Sequence, residues 1–203
     1  LANKYKEVYA AVGIGPENVE GVDDFELKKI KELSLNEKVV AIGEIGLDYY
    51  WTKENKQEQI EIFKRQLMIA ESLHLPVIVH SRESILDTYN LLNEYNVTGI
   101  LHCYSGSLEM ANRFIKKGFL IGIGGVVTFK NAKKVKEVVK EIPITSISLE
   151  TDSPYLTPEP YRGKPNNPLY LKYIIKEISD LKGISKDEVK NVTSQNVMSK
   201  FDL

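Results

Sequence analysis

The sequence has 203 residues, of which 42% are hydrophobic and 27% charged, an ordinary globular composition with enough apolar material for one sizeable core. Its 27 Lys and Arg nearly cancel its 28 Asp and Glu, for a net charge of -1, so no bulk basicity draws the chain onto nucleic acid and any such binding must be local. The single cysteine, Cys103, excludes a disulfide framework or a cysteine-rich zinc module, and apolar runs such as Pro76 to Val79 fall far short of the ~20 residues a bilayer needs. No signal peptide is visible, and a cytoplasmic, non-membrane location is the expectation.

Short β-rich runs alternate with longer amphipathic ones from end to end, which predicts βα units on a parallel sheet within one domain spanning residues 1–203. Strands are expected at Val8–Ile14, Val39–Ile45, Pro76–His80, Gly99–Tyr104, Leu120–Val127 and Ile147–Asp152. Between the second and third, Gln57–Leu73 carries Ile60, Phe63, Leu67 and Ala70 at helical spacing, so these would form its buried stripe. Ser84 to Asp87 has capping-box spacing, Gly118 follows Lys116 and Lys117 as a helix stop, and Ser185 opens a last helix. Runs such as Val77-Ile78-Val79 read as strands buried on both faces, which suits either an open doubly wound sheet or a (β/α)8 barrel. Gly122-Ile123-Gly124-Gly125 lacks the spacing and acidic follower of a dinucleotide site, which lowers the open-sheet reading.

The polar residues that stand out fall at one repeated place, the carboxyl ends of the expected strands: Glu44, His80, His102 and Asp152. In parallel α/β folds those ends face the ligand site, so four strands would contribute two imidazoles and two carboxylates to one cup. That donor set suits zinc, manganese or related divalent ions, whereas calcium prefers oxygen ligands alone. A lone strand-end histidine is more often structural; the shared position of all four raises the joint reading. His74 closes a helix before Leu75-Pro76 and reads as structural. Strand alternation points Cys103 away from the site if His102 points in. The Tyr49-Tyr50-Trp51 cluster suits either stacking on bases or simple packing.

Gly43-Glu44-Ile45-Gly46-Leu47-Asp48-Tyr49, Val79-His80-Ser81-Arg82, Leu101-His102-Cys103-Tyr104-Ser105-Gly106 and Glu150-Thr151-Asp152-Ser153-Pro154-Tyr155-Leu156 together resemble the TatD family of metal-dependent deoxyribonucleases. Pro160 to Asn166 is similar to the loop that follows in that family, and the resemblance covers almost the whole chain in order. It implies a TIM-type (β/α)8 barrel of the amidohydrolase type with one or two divalent ions (Mg, Mn or Zn) at the C-terminal strand ends. By that resemblance Glu44 lies between two metals, His80 and His102 complete one, and Asp152 belongs to the other and touches the nucleophilic water. The implied activity is hydrolysis of phosphodiesters in DNA single strands or strand ends: the cation activates water and stabilises charge on phosphorus, Asp152 handles the water's proton, and Arg82, Arg162 and Lys164 hold phosphate. An ester hydrolase such as a D-aminoacyl-tRNA deacylase, or an inactive fragment, are the alternative readings.

Two departures from the family pattern stand out. No His-x-His pair exists among the three histidines, and six strand candidates stand where the family has eight, so a segment of about two βα units, at ~25 or more residues each, is expected to be absent before Leu1. Gly13-Ile14-Gly15-Pro16 stands where family members commonly read Gly-x-His-Pro, and Gly15 supplies no polar contact there.

Overall fold

The computed structural model describes residues 1–203. Six strands and seven α-helices alternate: β1 (Ala10–Val12), α1 (Asp24–Leu33), β2 (Val39–Asp48), α2 (Lys56–Leu73), β3 (Val77–Arg82), α3 (Ile85–Asn93), β4 (Gly99–Leu101), α4 (Leu108–Lys116), β5 (Leu120–Ile123), α5 (Lys133–Glu141), β6 (Ile147–Leu149), α6 (Leu171–Lys182) and α7 (Lys186–Phe201). The strands follow one another in the sheet in the order β1-β2-β3-β4-β5-β6, and the pairs β1–β2, β2–β3 and β5–β6 are parallel. Sheet order that tracks chain order is the winding of a TIM-type fold, whereas a doubly wound sheet reverses direction at a switch point. No helix is long and apolar enough to cross a membrane.

The chain groups into two compact units, Leu1–Ile100 and Leu101–Phe201. In the first, α1 opens on a capping box: the Asp23 carboxylate accepts from Phe25 and Glu26 N–H, and Glu26 accepts from Asp23 N–H at 3.1 Å. The buried stripe of α2 is Gln59, Ile62, Phe63, Gln66, Leu67 and Ala70. Ile60 is only half-buried, and two glutamines take part in the face that periodicity assigned to apolar residues alone. Their burial is tolerated because each amide ends on backbone. Gln66 accepts from Ile14 N–H at 2.7 Å and donates to Ile14 C=O at 3.0 Å, and Gln59 does the same to Asp48. Val19, Leu27 and Ile62 form a smaller buried cluster where α1 meets α2.

The expected capping box at Ser84 does not form. Ser84 Oγ donates instead to the Leu47 carbonyl at 2.8 Å, and Asp87 pairs with Lys56 and Tyr49, so neither side chain caps the backbone of its own helix. α2 closes on His74, which takes φ 54 in the left-handed region. β2 and β3 run further than expected, to Asp48 and Arg82, so Glu44 and His80 lie inside strands rather than at their carboxyl ends. Gly46, at φ 143, faces the carbonyl of its register partner His80, where an added Cβ would sit 2.0 Å from that oxygen.

The second unit packs Phe114 of α4 against Phe119, ring centroids 6.2 Å apart, with Ile121, Ile123, Val138, Ile147, Ile174, Ile178 and Val189 also buried. Gly118, at φ 90, follows α4 as expected, and Ser185 accepts from Glu188 N–H at 3.0 Å at the start of α7. β4, β5 and β6 are shorter than the sequence predicts, as is β1 in the first unit, Ala10–Val12 where Val8–Ile14 is expected. After Ile123 the chain turns into a 3-10 segment, Gly125–Thr128, where Thr128 Oγ donates to the Gly125 carbonyl at 2.7 Å. β4 ends at Leu101 and β6 at Leu149, and beyond them Cys103 (φ 43) and Asp152 (φ 56) occupy left-handed backbone, outside strand alternation.

Candidate active site

Each unit holds one histidine gripped by two carboxylates. In the first, β2 supplies Glu44 and Asp48 and β3 supplies His80. His80 Nδ1 lies 3.0 Å from Glu44 Oε1, and Nε2 lies 3.0 Å from Asp48 Oδ2. Asp48 is the more buried of the two carboxylates and is fixed on its other side, where Oδ1 accepts from Tyr50 N–H at 2.9 Å. Glu44 is more open to solvent.

The second unit repeats the pattern. His102 Nδ1 lies 2.9 Å from Glu150 Oε2, and Nε2 lies 3.2 Å from Asp152 Oδ1. Glu150 is likewise anchored on backbone: Oε1 accepts from Cys103 N–H at 2.5 Å. Gly122 makes room for that carboxylate, since a Cβ there would come within 2.7 Å of Glu150 Oε2 and 2.6 Å of the Leu101 carbonyl. Donor atoms of His102, Cys103 and Asp152 all lie within 4.8 Å of one another, a spacing that a single cation can bridge. Cys103 therefore does not point away from His102. Alternation holds only along a strand; β4 ends at Leu101, and the left-handed turn at Cys103 brings both side chains to the same side.

Burial by itself would lower both imidazoles. For His80, the hydrogen bonds and charges of Glu44 and Asp48 outweigh it and hold the ring above its usual range. For His102 the same reversal comes from Asp152, Cys103 and Glu150. Burial pushes the Cys103 thiol up to about 12. A cation entering either set must displace the proton that these carboxylates favour, because an imidazole ligates only when neutral.

Of the expected site residues, the structure brings Glu44 to His80 and Asp152 to His102. Arg82 lies on the same β3 face as His80, its guanidinium 3.6 Å from the Tyr50 ring centroid. Arg162 packs 4.3 Å over Phe129, and Lys164 sits 5.5 Å from the Tyr161 ring, both exposed. Three residues went unread in the sequence. Asp48 and Glu150 sit inside the quoted motifs but carry no spacing signal of their own. Asn166 is buried and donates from Nδ2 to the carbonyls of Thr151 at 2.6 Å and Tyr155 at 2.7 Å, holding the turn that carries Asp152.

A sequentially wound parallel sheet bearing imidazoles clamped by carboxylates defines a TIM-type α/β hydrolase. A family model described as TatD related DNase matches residues 1–202. The chain is 45% identical to the uncharacterized metal-dependent hydrolase YabD of Bacillus subtilis, over 99% of this chain and 80% of that protein. It is 37% identical to the uncharacterized metal-dependent hydrolase YcfH of Escherichia coli, over 100% of this chain and 77% of that one. The crystal structure of YjjV, a TatD homolog from Escherichia coli, superposes with a TM-score of 0.94 at 33% identity, covering 100% of this chain and 80% of that chain. The chain belongs to the TatD family.

Proposed function

We propose that this protein is a divalent-metal-dependent phosphodiesterase acting on DNA single strands or strand ends, with Glu44, His80, His102 and Asp152 as its metal-holding residues. The observation that carries the reading is the paired arrangement of one imidazole between two carboxylates in each unit, on a chain of the TatD family. The donors present fit one or two magnesium, manganese or zinc ions: mixed nitrogen and oxygen atoms on strand-held backbone, with further carboxylates behind them.

A bound divalent cation supplies Lewis acidity toward water and a phosphoryl oxygen. The chain's own groups do the rest. Asp152, more solvent-accessible than Glu150 and on the Nε2 side of His102, takes the proton of the attacking water. Glu44, the more accessible partner of His80, has the same outward placement in the first unit. Asp48 and Glu150 hold the opposite ring nitrogens and so fix which nitrogen of each imidazole faces outward. Arg82, Arg162 and Lys164 supply positive charge for the phosphates, giving weak, salt-sensitive and largely sequence-independent binding on a chain whose net charge is only -1. The whole chain works as one hydrolase domain, and its lone thiol fits a reducing cytoplasm.

Asp152→Ala should abolish hydrolysis of a single-stranded oligonucleotide in magnesium or manganese while leaving the circular dichroism spectrum unchanged; undiminished turnover would sink the assignment. Turnover of an aminoacyl ester in place of the oligonucleotide would move the same residues to ester hydrolysis.

A further inference from the structure

Trp51 is the chain's single tryptophan and is 75% exposed, and its neighbour Tyr50 is 50% exposed. Both lie in the turn after β2, past Tyr49, and they are held in place. Tyr50 N–H is tied to Asp48, the two rings meet edge to face at 4.9 Å, and the Arg82 guanidinium lies 3.6 Å from the Tyr50 centroid and 5.5 Å from that of Trp51. Arg82 makes no ion pair, so its N–H donors have no carboxylate to satisfy them. It stands two residues from His80 on the same strand face, with Asp48 as its register partner on β2. An open indole, a ring pair with fixed geometry and an unpaired guanidinium thus sit together beside the carboxylate-clamped His80.

We propose that Trp51, Tyr50 and Arg82 form a subsite for one unpaired nucleotide, with Trp51 stacking on the base and Arg82 holding the adjoining phosphate. The inference rests on the phosphodiesterase reading and adds to it what the subsite reads. An aromatic face accepts any base, because every base has a π-surface, and a guanidinium matches two phosphoryl oxygens. A base in a duplex has both faces covered by its neighbours, so the subsite selects unpaired or frayed ends and discriminates little among sequences. The aromatic packing of Arg82 sets where that phosphate lies relative to His80, a role that lysine, lacking the planar group, does not reproduce.

A single tryptophan makes the test direct, since indole fluorescence reports on Trp51 alone. The full chain is titrated in chelator, so that the probe is not consumed, with a short oligothymidylate and with an abasic strand of the same length. The oligothymidylate should quench the fluorescence saturably and the abasic strand should not. By anisotropy of a labelled oligothymidylate, Trp51→Ala and Arg82→Ala should each weaken binding roughly tenfold, whereas Trp51→Phe should restore most of the loss and Arg82→Lys should not. Equal quenching and affinity for the abasic strand, or an unchanged Trp51→Ala, overturns the subsite. Cleavage of the oligothymidylate in magnesium is scored separately: cleavage without base-dependent binding overturns this inference alone, and base-dependent binding without cleavage overturns the phosphodiesterase reading alone.

Discussion

Gln59 grips the backbone of Asp48 with both ends of its amide: Oε1 accepts the Asp48 N–H at 2.8 Å, and Nε2 donates to the Asp48 carbonyl at 2.9 Å. Gln66, on the same face of α2, makes the equivalent pair of bonds to Ile14. One helix thereby fixes the last residue of β2 and the chain beyond β1. At β2 the residue fixed is the carboxylate that holds His80 Nε2, so helix packing, strand end and imidazole orientation form one connected path.

That path predicts the cost of Gln59→Leu. Leucine nearly fills the volume but leaves a buried N–H and C=O without partners, each at ~1–3 kcal/mol. Urea unfolding should therefore show a loss of about 2–6 kcal/mol with the slope unchanged. A loss below about 0.5 kcal/mol, within the range of an ordinary surface substitution, would mean that the backbone groups find other partners.

Asp48→Asn and Glu150→Gln test the supporting carboxylates. Both replacements keep shape but remove the charge that orients His80 and His102, and outer partners of this kind typically change metal affinity by about 10–100-fold. Titration calorimetry with manganese should show that weakening in each variant, with thermal stability close to that of the parent. Unaltered affinity in both would show that the imidazoles are oriented by packing alone.

Asp87 gives a pH dependence through a pair that includes none of the carboxylates bonded to His80 or His102. The Lys56 ammonium, 2.7 Å away, holds the carboxyl below its ordinary value, with the Tyr49 hydroxyl adding to the effect against burial. Because the folded value is the lower one, the contribution is fully present above about pH 4, the ordinary aspartate range, and fades as the pH falls through the folded value. The pair is well exposed, so Asp87→Asn should cost only about 0.5 kcal/mol near neutrality. That difference should shrink towards zero as the pH falls through the folded value. A difference that persists in acid would assign the effect to packing against Tyr49 rather than to charge.

The order of elements and the apolar strands were legible in the sequence, because each depends on local pattern, and Glu44, His80, His102 and Asp152 stood out there as polar residues in or just after β-rich segments. Burial of Gln59 and Gln66 was not legible, since a glutamine inside an apolar stripe is affordable only when backbone from another element reaches it. The same holds for Ser84 and Asp87, whose capping pattern is local but whose partners, Leu47 and Lys56, come from β2 and α2. Cys103 shows the limit most sharply: its residue type and its place beside His102 were plain, yet its direction was set by one left-handed backbone angle that alternation does not encode. Sequence by itself determined which chemical groups are present and in what order. Only the tertiary structure decided which carboxylate meets which ring nitrogen, because those pairings join residues 32 to 50 positions apart, and it is packing that brings them within 3.2 Å.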